Sequence, residues 1–321
     1  MGGPDAWRWV FLVNIPVGIV ALVLALRLLP QLDPGSPDTR LDPVGVVLLG
    51  AAVLLVLLPL LGESDSDLAG RPWWLLAVAA VVLAGFVLWE RRLARRGGAP
   101  VMDLGLFARR SYALGAGLAL WYFAGFTSIF FVLTLTLQSG LGYTALQAGL
   151  AATPFALGGG MAAIGGGRLV ARLGRRIVVV GLVLSIIGVI ATGVVAGLVP
   201  GDAVGWAVAL PQFVAGAGSG LVISPNQTLT LAEVPVAGGG SAAAVVQTGQ
   251  RIGTAIGIAA VGAVFLSALA SGADYVGALA TSMYVVAACI AVALVIALTD
   301  LWVGAPRPGA AQAATPPAPP G

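Results

Sequence analysis

Of the 321 residues, 59% are hydrophobic and 46 are Gly, whereas Asp, Glu, Lys and Arg together supply 9%, against roughly a quarter in ordinary globular proteins. With 16 basic and 13 acidic side chains and a mean hydropathy of +1.01, the chain cannot coat a soluble fold of this length. The solvent that suits it is lipid. All basic residues are Arg, His is absent and the net charge is +3. No basic patch with interleaved aromatics lies outside the apolar blocks, which argues against a nucleic-acid partner. The single cysteine, Cys289, has no intrachain partner for a disulfide. Nothing resembles a structural zinc site or a haem attachment motif, so no metal or cofactor is expected.

A bilayer crossing needs about 20 helical residues, and apolar blocks of that size recur along the chain. The first, 10–29, runs on to Leu29 without a small-residue cleavage site and reads as a span, not a signal peptide. PQLDPGSPDT at 30–39 separates it from 41–61. GESDSDLAGRP at 62–72 leads into 72–92, and ERRLARRGGAP at 90–100 precedes 112–135. Then come 146–167, 176–198, 204–224, 250–270 and 279–299. The Pro- and Ala-rich tail, 301–321, reads as disordered. The blocks are twice the length of a barrel strand and lack its alternation. The expectation is an all-α polytopic membrane protein with about nine transmembrane helices.

Arginine counts set its orientation. If the segment after the first helix is cytoplasmic, 14 of the 16 arginines face inward and only Arg8 and Arg71 face out, as the positive-inside rule requires. The C-terminus is then cytoplasmic, in a plasma membrane whose lipids are the first partner.

Ionisable groups at bilayer depth are costly and mark ion pathways. Here Glu90, Asp300 and Arg251 fall at the ends of the blocks, within reach of the interface. The block 112–135 is dense in aromatics and hydroxyls. Phe123, Thr127, Phe131, Thr134 and Gln138 follow 4, 4, 3, 4 spacing and share one helical face. Such a face could line a drug cavity; equally, the hydroxyls could bond to the preceding turn while the rings face lipid. Asn226, Gln227, Gln247 and Gln250 are uncharged polar groups near expected helix ends. Pro225 and Pro235 suggest interrupted helices there, where a ligand could meet free backbone groups. Gly216 and Gly220, and the series Gly249, Gly253 and Gly257, give small-xxx-small surfaces for close helix packing. Gly167, Arg172, Gly174, Arg175 and Arg176 form a compact turn suited to anchoring at anionic lipid or to gating. GRLVARLG and GAGSG are not nucleotide-binding loops, since neither follows a strand, and no Walker motif is present. Without His there is no base for an intramembrane hydrolase; an enzyme is not expected.

Several segments together resemble one family. WRWVFLVNIPVG at 7–18 resembles the entry to the sixth helix of the fourteen-helix drug:proton antiporter branch of the major facilitator superfamily, the multidrug and antibiotic efflux permeases. PVMDLGLFARRSYALG at 100–115 and LTLQSGLGYTALQAGLAATPFALG at 135–158 are similar to the approach to the ninth helix and the turn after it. GGRLVARLGRR at 166–176 resembles the second copy of the family's Gly-and-Arg loop, with Ala171 where the family often has an acid. The stretch 216–259 resembles the twelfth helix running into the thirteenth. The resemblance implies a helix like the sixth at 1–30, two extra central helices at 41–92 and the C-terminal six-helix bundle at 112–300. Five preceding helices, and the N-terminal bundle that they build, are then missing. The function implied is efflux of small amphipathic drugs or antibiotics by proton antiport, without enzymatic chemistry. The alternative is a truncated, non-transporting membrane protein or scaffold.

Overall fold

The fold is that of a computed structural model, which describes residues 12, 14–28, 42–59, 72–98, 100–235 and 238–302. Regular structure among them is entirely helical: α1 (Asn14–Leu28), α2 (Pro43–Leu57), α3 (Trp74–Arg95), α4 (Arg110–Leu135), α5 (Ala145–Leu173), α6 (Arg175–Leu198), α7 (Ala209–Leu231), α8 (Gly239–Ala270) and α9 (Tyr275–Trp302), with short helical turns between some of them. Seven of these, α3 to α9, are long and apolar enough to cross a bilayer. The chain has an all-α polytopic membrane fold. Helix α1 belongs to a separate unit within residues 1–40 and carries Arg27 in its last turn, where a cation complements the helix dipole. Residues 10, 11, 13 and 29 of the first block and the expected disordered tail from 303 onward lie outside the described residues.

Several boundaries differ from the expected ones, for local reasons. The block 41–61 yields only 15 residues of helix, short of a crossing. Leu58 still donates to the Leu54 carbonyl, but Pro59 after it lacks the N–H that would extend the ladder. Helix α8 begins at Gly239, well before 250. The Ala-rich stretch has good helix propensity, and Ala242, Val245 and Val246 bury against Leu106, Tyr112 and Ala119. Arg251, Gln247 and Gln250 therefore sit inside a helix and not at its end. Pro225 does not interrupt α7 either: it is buried within the helix, beside Gly166 of α5. Pro211 lies in the first turn of α7, where no N–H is needed.

Close approach of backbones organises the bundle of residues 110–302. A side chain at Gly216 or Gly220 of α7 would overlap the carbonyls of Phe155 or Gly159 on α5. Gly218, between them, faces the other way, against Gly181 and Ser185 of α6. Helix α7 is thus small on two sides and lies between α5 and α6. Gly253 and Gly257 of α8 rest on the carbonyls of Leu120 and Ala124 of α4. Gly125 of α4 meets Ile290 and the Val286 carbonyl of α9, each 2.9 Å from where its Cβ would stand. Such contacts matter because lipid offers helices no hydrophobic reason to associate. Large side chains fill the space between the crossings, with Leu118, Tyr122, Ile129, Leu182, Leu279, Met283 and Ile290 essentially fully buried. Gly249, one turn before Gly253, has nothing within 4 Å of its would-be Cβ.

These contrasts within one helix give a direct test. Gly253→Leu should destabilise the protein by on the order of 1–3 kcal/mol, the range for overpacking, because a backbone carbonyl cannot step aside. Gly249→Leu should be close to neutral. Thermal melting of both variants in one detergent checks this; equal melting temperatures would show that the Gly253 crossing carries no packing energy.

Candidate functional site

The aromatic helix α4 is entered through a short turn in which Asp103 accepts a hydrogen bond from the Gly105 N–H at 2.8 Å. One face of α4, including Tyr122, Gly125, Ser128, Ile129 and Val132, is buried in the bundle. Phe123, Thr127, Phe131, Thr134 and Gln138 lie on the other side: Phe123 and Thr127 are half-buried, and Phe131, Thr134 and Gln138 are exposed. Gln138 stands in a single π-type turn at Thr136–Gly140 that closes the helix. The Thr127 hydroxyl pairs at 3.1 Å with that of Thr254 on α8, and Phe131 lies beside Gly262 of the same helix. Gln247, Gln250 and Thr254 share a face of α8 by their spacing. The result is a seam between α4 and α8 with aromatic rings, paired hydroxyls and amides along it. Thr254 was not singled out from the sequence; its place one turn beyond Gln250 was the available signal.

Behind the seam stands an aromatic wall. Phe126 packs on Tyr122 (ring centroids 5.6 Å), Phe130 (5.8 Å) and Phe155 of α5 (5.6 Å), and Phe130 meets Phe155 edge-on at 4.9 Å. Phe155 carries no periodic pattern in its own segment, so only the fold reveals it. The structure does not bring Asn226 to the seam. It is buried in α7 and donates Nδ2–H to the Gly115 carbonyl at 3.0 Å, tying α7 to α4. Gln227 beside it is half-buried, as is Gln250, while Gln247 is exposed. At the far end of the bundle, Tyr143, Gln147, Leu150, Pro154, Asp202 and Trp206 border a cavity of about 140 Å³. That is below the several hundred Å³ of sites for drug-sized ligands, and it includes none of the residues anticipated above.

The Gly-and-Arg turn is compact. A single residue, Gly174, joins α5 to α6 at φ +53°, a backbone conformation that glycine adopts without steric cost. Gly167, Arg172 and Arg176 are exposed. Arg175 alone turns inward, where it pairs with Asp300 of α9. Its Nη2 donates to the carbonyl and hydroxyl of Ser111 on α4, at 3.0 and 2.8 Å. Arg110 stands 4.0 Å from the same carboxylate and donates to the Thr299 carbonyl at 2.6 Å, while Arg109 donates to the Glu233 carbonyl beyond the end of α7. Arg110 and Arg175 begin helices, and Asp300 closes one. Each charge is at the unfavourable end of its own helix dipole, and pairing across helices offsets that. Asp300 and Glu90 are enclosed by protein, 9% and 1% exposed, Asp300 against Arg175 and Glu90 against the Met102 N–H.

Breaking a buried pair from one side leaves the other charge uncompensated, at about 3–5 kcal/mol. Asp300→Ala should therefore lower the melting temperature sharply. Arg110→Ala, at a half-exposed and more distant partner, should cost no more than about 1 kcal/mol. Comparable losses from both would show that Asp300 does not depend chiefly on Arg175.

Comparison with known proteins places this architecture. The family model described as Major Facilitator Superfamily matches residues 1–258 and 117–319. A "Probable actinorhodin transporter" of Streptomyces coelicolor is 35% identical over 275 residues, covering 83% of this chain and 46% of the relative. The "Lincomycin resistance protein" of Streptomyces lincolnensis is 37% identical over 155 residues, 47% of this chain and 31% of that one. The "Fatty acid resistance protein FarB" of Neisseria gonorrhoeae is 33% identical over 153 residues, 47% and 29% respectively. The chain thus spans less than half the length of these curated relatives. With the family model covering most of its residues, the chain belongs to the Major Facilitator Superfamily.

Proposed function

We propose that the chain forms part of an efflux transporter of the fourteen-helix drug:proton antiporter branch, which exports amphipathic drugs or antibiotics across the plasma membrane in exchange for protons. The observation that carries this reading is the α4–α8 seam. There the half-buried Phe123 and exposed Phe131 stand beside the Thr127–Thr254 hydroxyl pair. Aromatic surface with a few polar groups suits flat amphipathic compounds. The relatives named for actinorhodin transport and lincomycin resistance support the same reading. In this reading α4 to α9 are the C-terminal six-helix bundle and α2 and α3 the extra central pair. The chemistry is binding, occlusion and release. A second bundle facing the seam completes the pathway, since alternating access rocks one bundle against another. The Arg-rich ends of α4 and α6 face the cytoplasm, where the positive-inside rule puts them, and the C-terminus lies on the same side.

Binding is the first test. A cationic amphipathic dye added to vesicles holding the reconstituted protein should bind saturably. Phe131→Ala should weaken it about three- to tenfold, as the loss of one aromatic contact predicts. No saturable binding, or an unchanged affinity in the variant, would remove the seam from the pathway. Dye movement driven by a pH gradient and abolished by a protonophore would support proton exchange; movement indifferent to the protonophore would reject it.

Orientation is tested separately. Cysteines introduced at Arg95 and Arg176 should be shielded from an impermeant thiol reagent in intact cells, and one at Asp202 should react. Labelling of the first pair from outside would reverse the topology.

A further inference from the structure

Among the described residues three acids are buried: Asp300 is matched by arginines, whereas Asp42 and Glu90 are not. Asp42 caps the N-terminus of α2: its Oδ1 accepts from the Gly45 N–H at 3.0 Å. The Trp89 indole on α3 donates to both of its oxygens, at 3.1 and 2.9 Å. Next to Trp89, Glu90 points into the same space and is 1% exposed, with Asp42 at 7%. Glu90 Oε2 accepts from the Met102 N–H at 3.0 Å. Glu90 Oε1 is buried and has no donor. What it does face is Asp42: an atom added at Gly45 would overlap both Asp42 Oδ2 and Glu90 Oε1, so these two oxygens crowd one small volume.

Among the described residues no cation pairs with either of them, and the ion pairs all belong to Asp300. Helix α2 has no charged side chain of its own. On α3, Arg91, Arg92 and Arg95 are exposed, and the following Arg96 is too. The segment between α3 and α4 adds Asp103, whose Oδ1 is engaged by Gly105, and Arg109, which is exposed and donates to the Glu233 carbonyl. Helix α8, which also packs on α2, has Arg251 as its one charge, and that is exposed. Two ionised carboxylates facing each other in such a place would repel, and Oε1 would stay buried without a donor, which is costly. One proton resolves both difficulties. An O–H···O bond between Glu90 Oε1 and Asp42 Oδ2 supplies the missing donor and removes one of the two charges, as in carboxylate pairs that titrate as a unit.

We propose that Asp42 and Glu90 form a proton-binding site, sharing one proton between Asp42 Oδ2 and Glu90 Oε1. The site lies apart from the α4–α8 seam and does not depend on the transport reading. It is also a fastening. The proton holds the start of α2 to the end of α3, and Glu90 Oε2 holds α3 to Met102 on the segment leading into α4. Release of the proton to solvent as pH rises leaves like charges face to face and loosens the α2–α3 pair from that segment.

The test uses the whole chain in detergent at a series of pH values. The infrared band of a protonated carboxyl group should be present at neutral pH and disappear under alkaline conditions, together with a fall in melting temperature. In Glu90→Gln and Asp42→Asn an amide N–H replaces the shared proton permanently. Both variants should lose that band and its titration and keep their melting temperature under alkaline conditions, whereas Asp300→Asn should leave the band in place. If either variant fails to fold, the infrared titration of the unaltered protein still decides. Absence of the band at neutral pH, or its persistence in both variants, would overturn the proposal. So would an alkaline midpoint that shifts when sodium replaces choline in the buffer, because a metal cation and not a proton would then occupy the pair.

Discussion

A helix in lipid gains nothing by turning apolar surface toward another helix, so association rests on how closely two backbones can approach. Everything else in the bundle of α4 to α9 depends on that constraint. Gly216 and Gly220 on one side of α7 and Gly218 on the other let α5 and α6 close upon it. Gly253 and Gly257 seat α8 on α4, and that contact puts Thr254 within 3.1 Å of Thr127. The seam is therefore a product of small residues that contribute no chemistry themselves. Its aromatic and polar groups are set in place by what is absent beside them.

Polar contacts then gather where helices begin and end. Arg109, Arg110 and Arg175 stand at or just before the first turns of α4 and α6 and reach carbonyls or a carboxylate at the ends of α7 and α9. Helices running one way are thereby closed by side chains from helices running the other way. The two environments of the buried carboxyl groups among the described residues contrast sharply. Asp300 has two guanidinium groups around it, whereas Asp42 and Glu90 have indole and backbone N–H donors and one another.

Much of the fold was legible because spans are long and apolar, and hydropathy alone locates their centres. Boundaries were less so. Hydropathy falls at the polar stretch 239–249, yet its alanines and valines bury against Tyr112 and Leu106, a partner 130 residues away in the case of Tyr112 and Ala242. Pro225 read as a break because proline propensity is local, whereas the structure buries it within α7, packed beside Gly166 of α5. Of the candidate residues, the α4 stripe could be found by periodicity. Asn226 could be noticed but not placed, since its partner is a backbone carbonyl. The pairing of Arg175 with Asp300 could not be read at all: nothing in either segment encodes a topology that joins residues 125 positions apart.

The length of α8 has a consequence for where water ends. Its 32 residues extend about 48 Å at 1.5 Å per residue, well beyond a hydrocarbon layer of about 30 Å. Arg251 is exposed, and the residues after it, to Ala270, cover about 28 Å, close to the whole of that layer. With Arg251 at the lipid headgroups, the turns before it stand outside the hydrocarbon as a short stalk. The cluster of Leu106, Tyr112, Ala242, Val245 and Val246 then has aqueous surroundings on one side, and there burial of apolar area from water does contribute. One continuous helix thus belongs to two solvents, held by glycine against carbonyl in the first and by ordinary hydrophobic burial in the second.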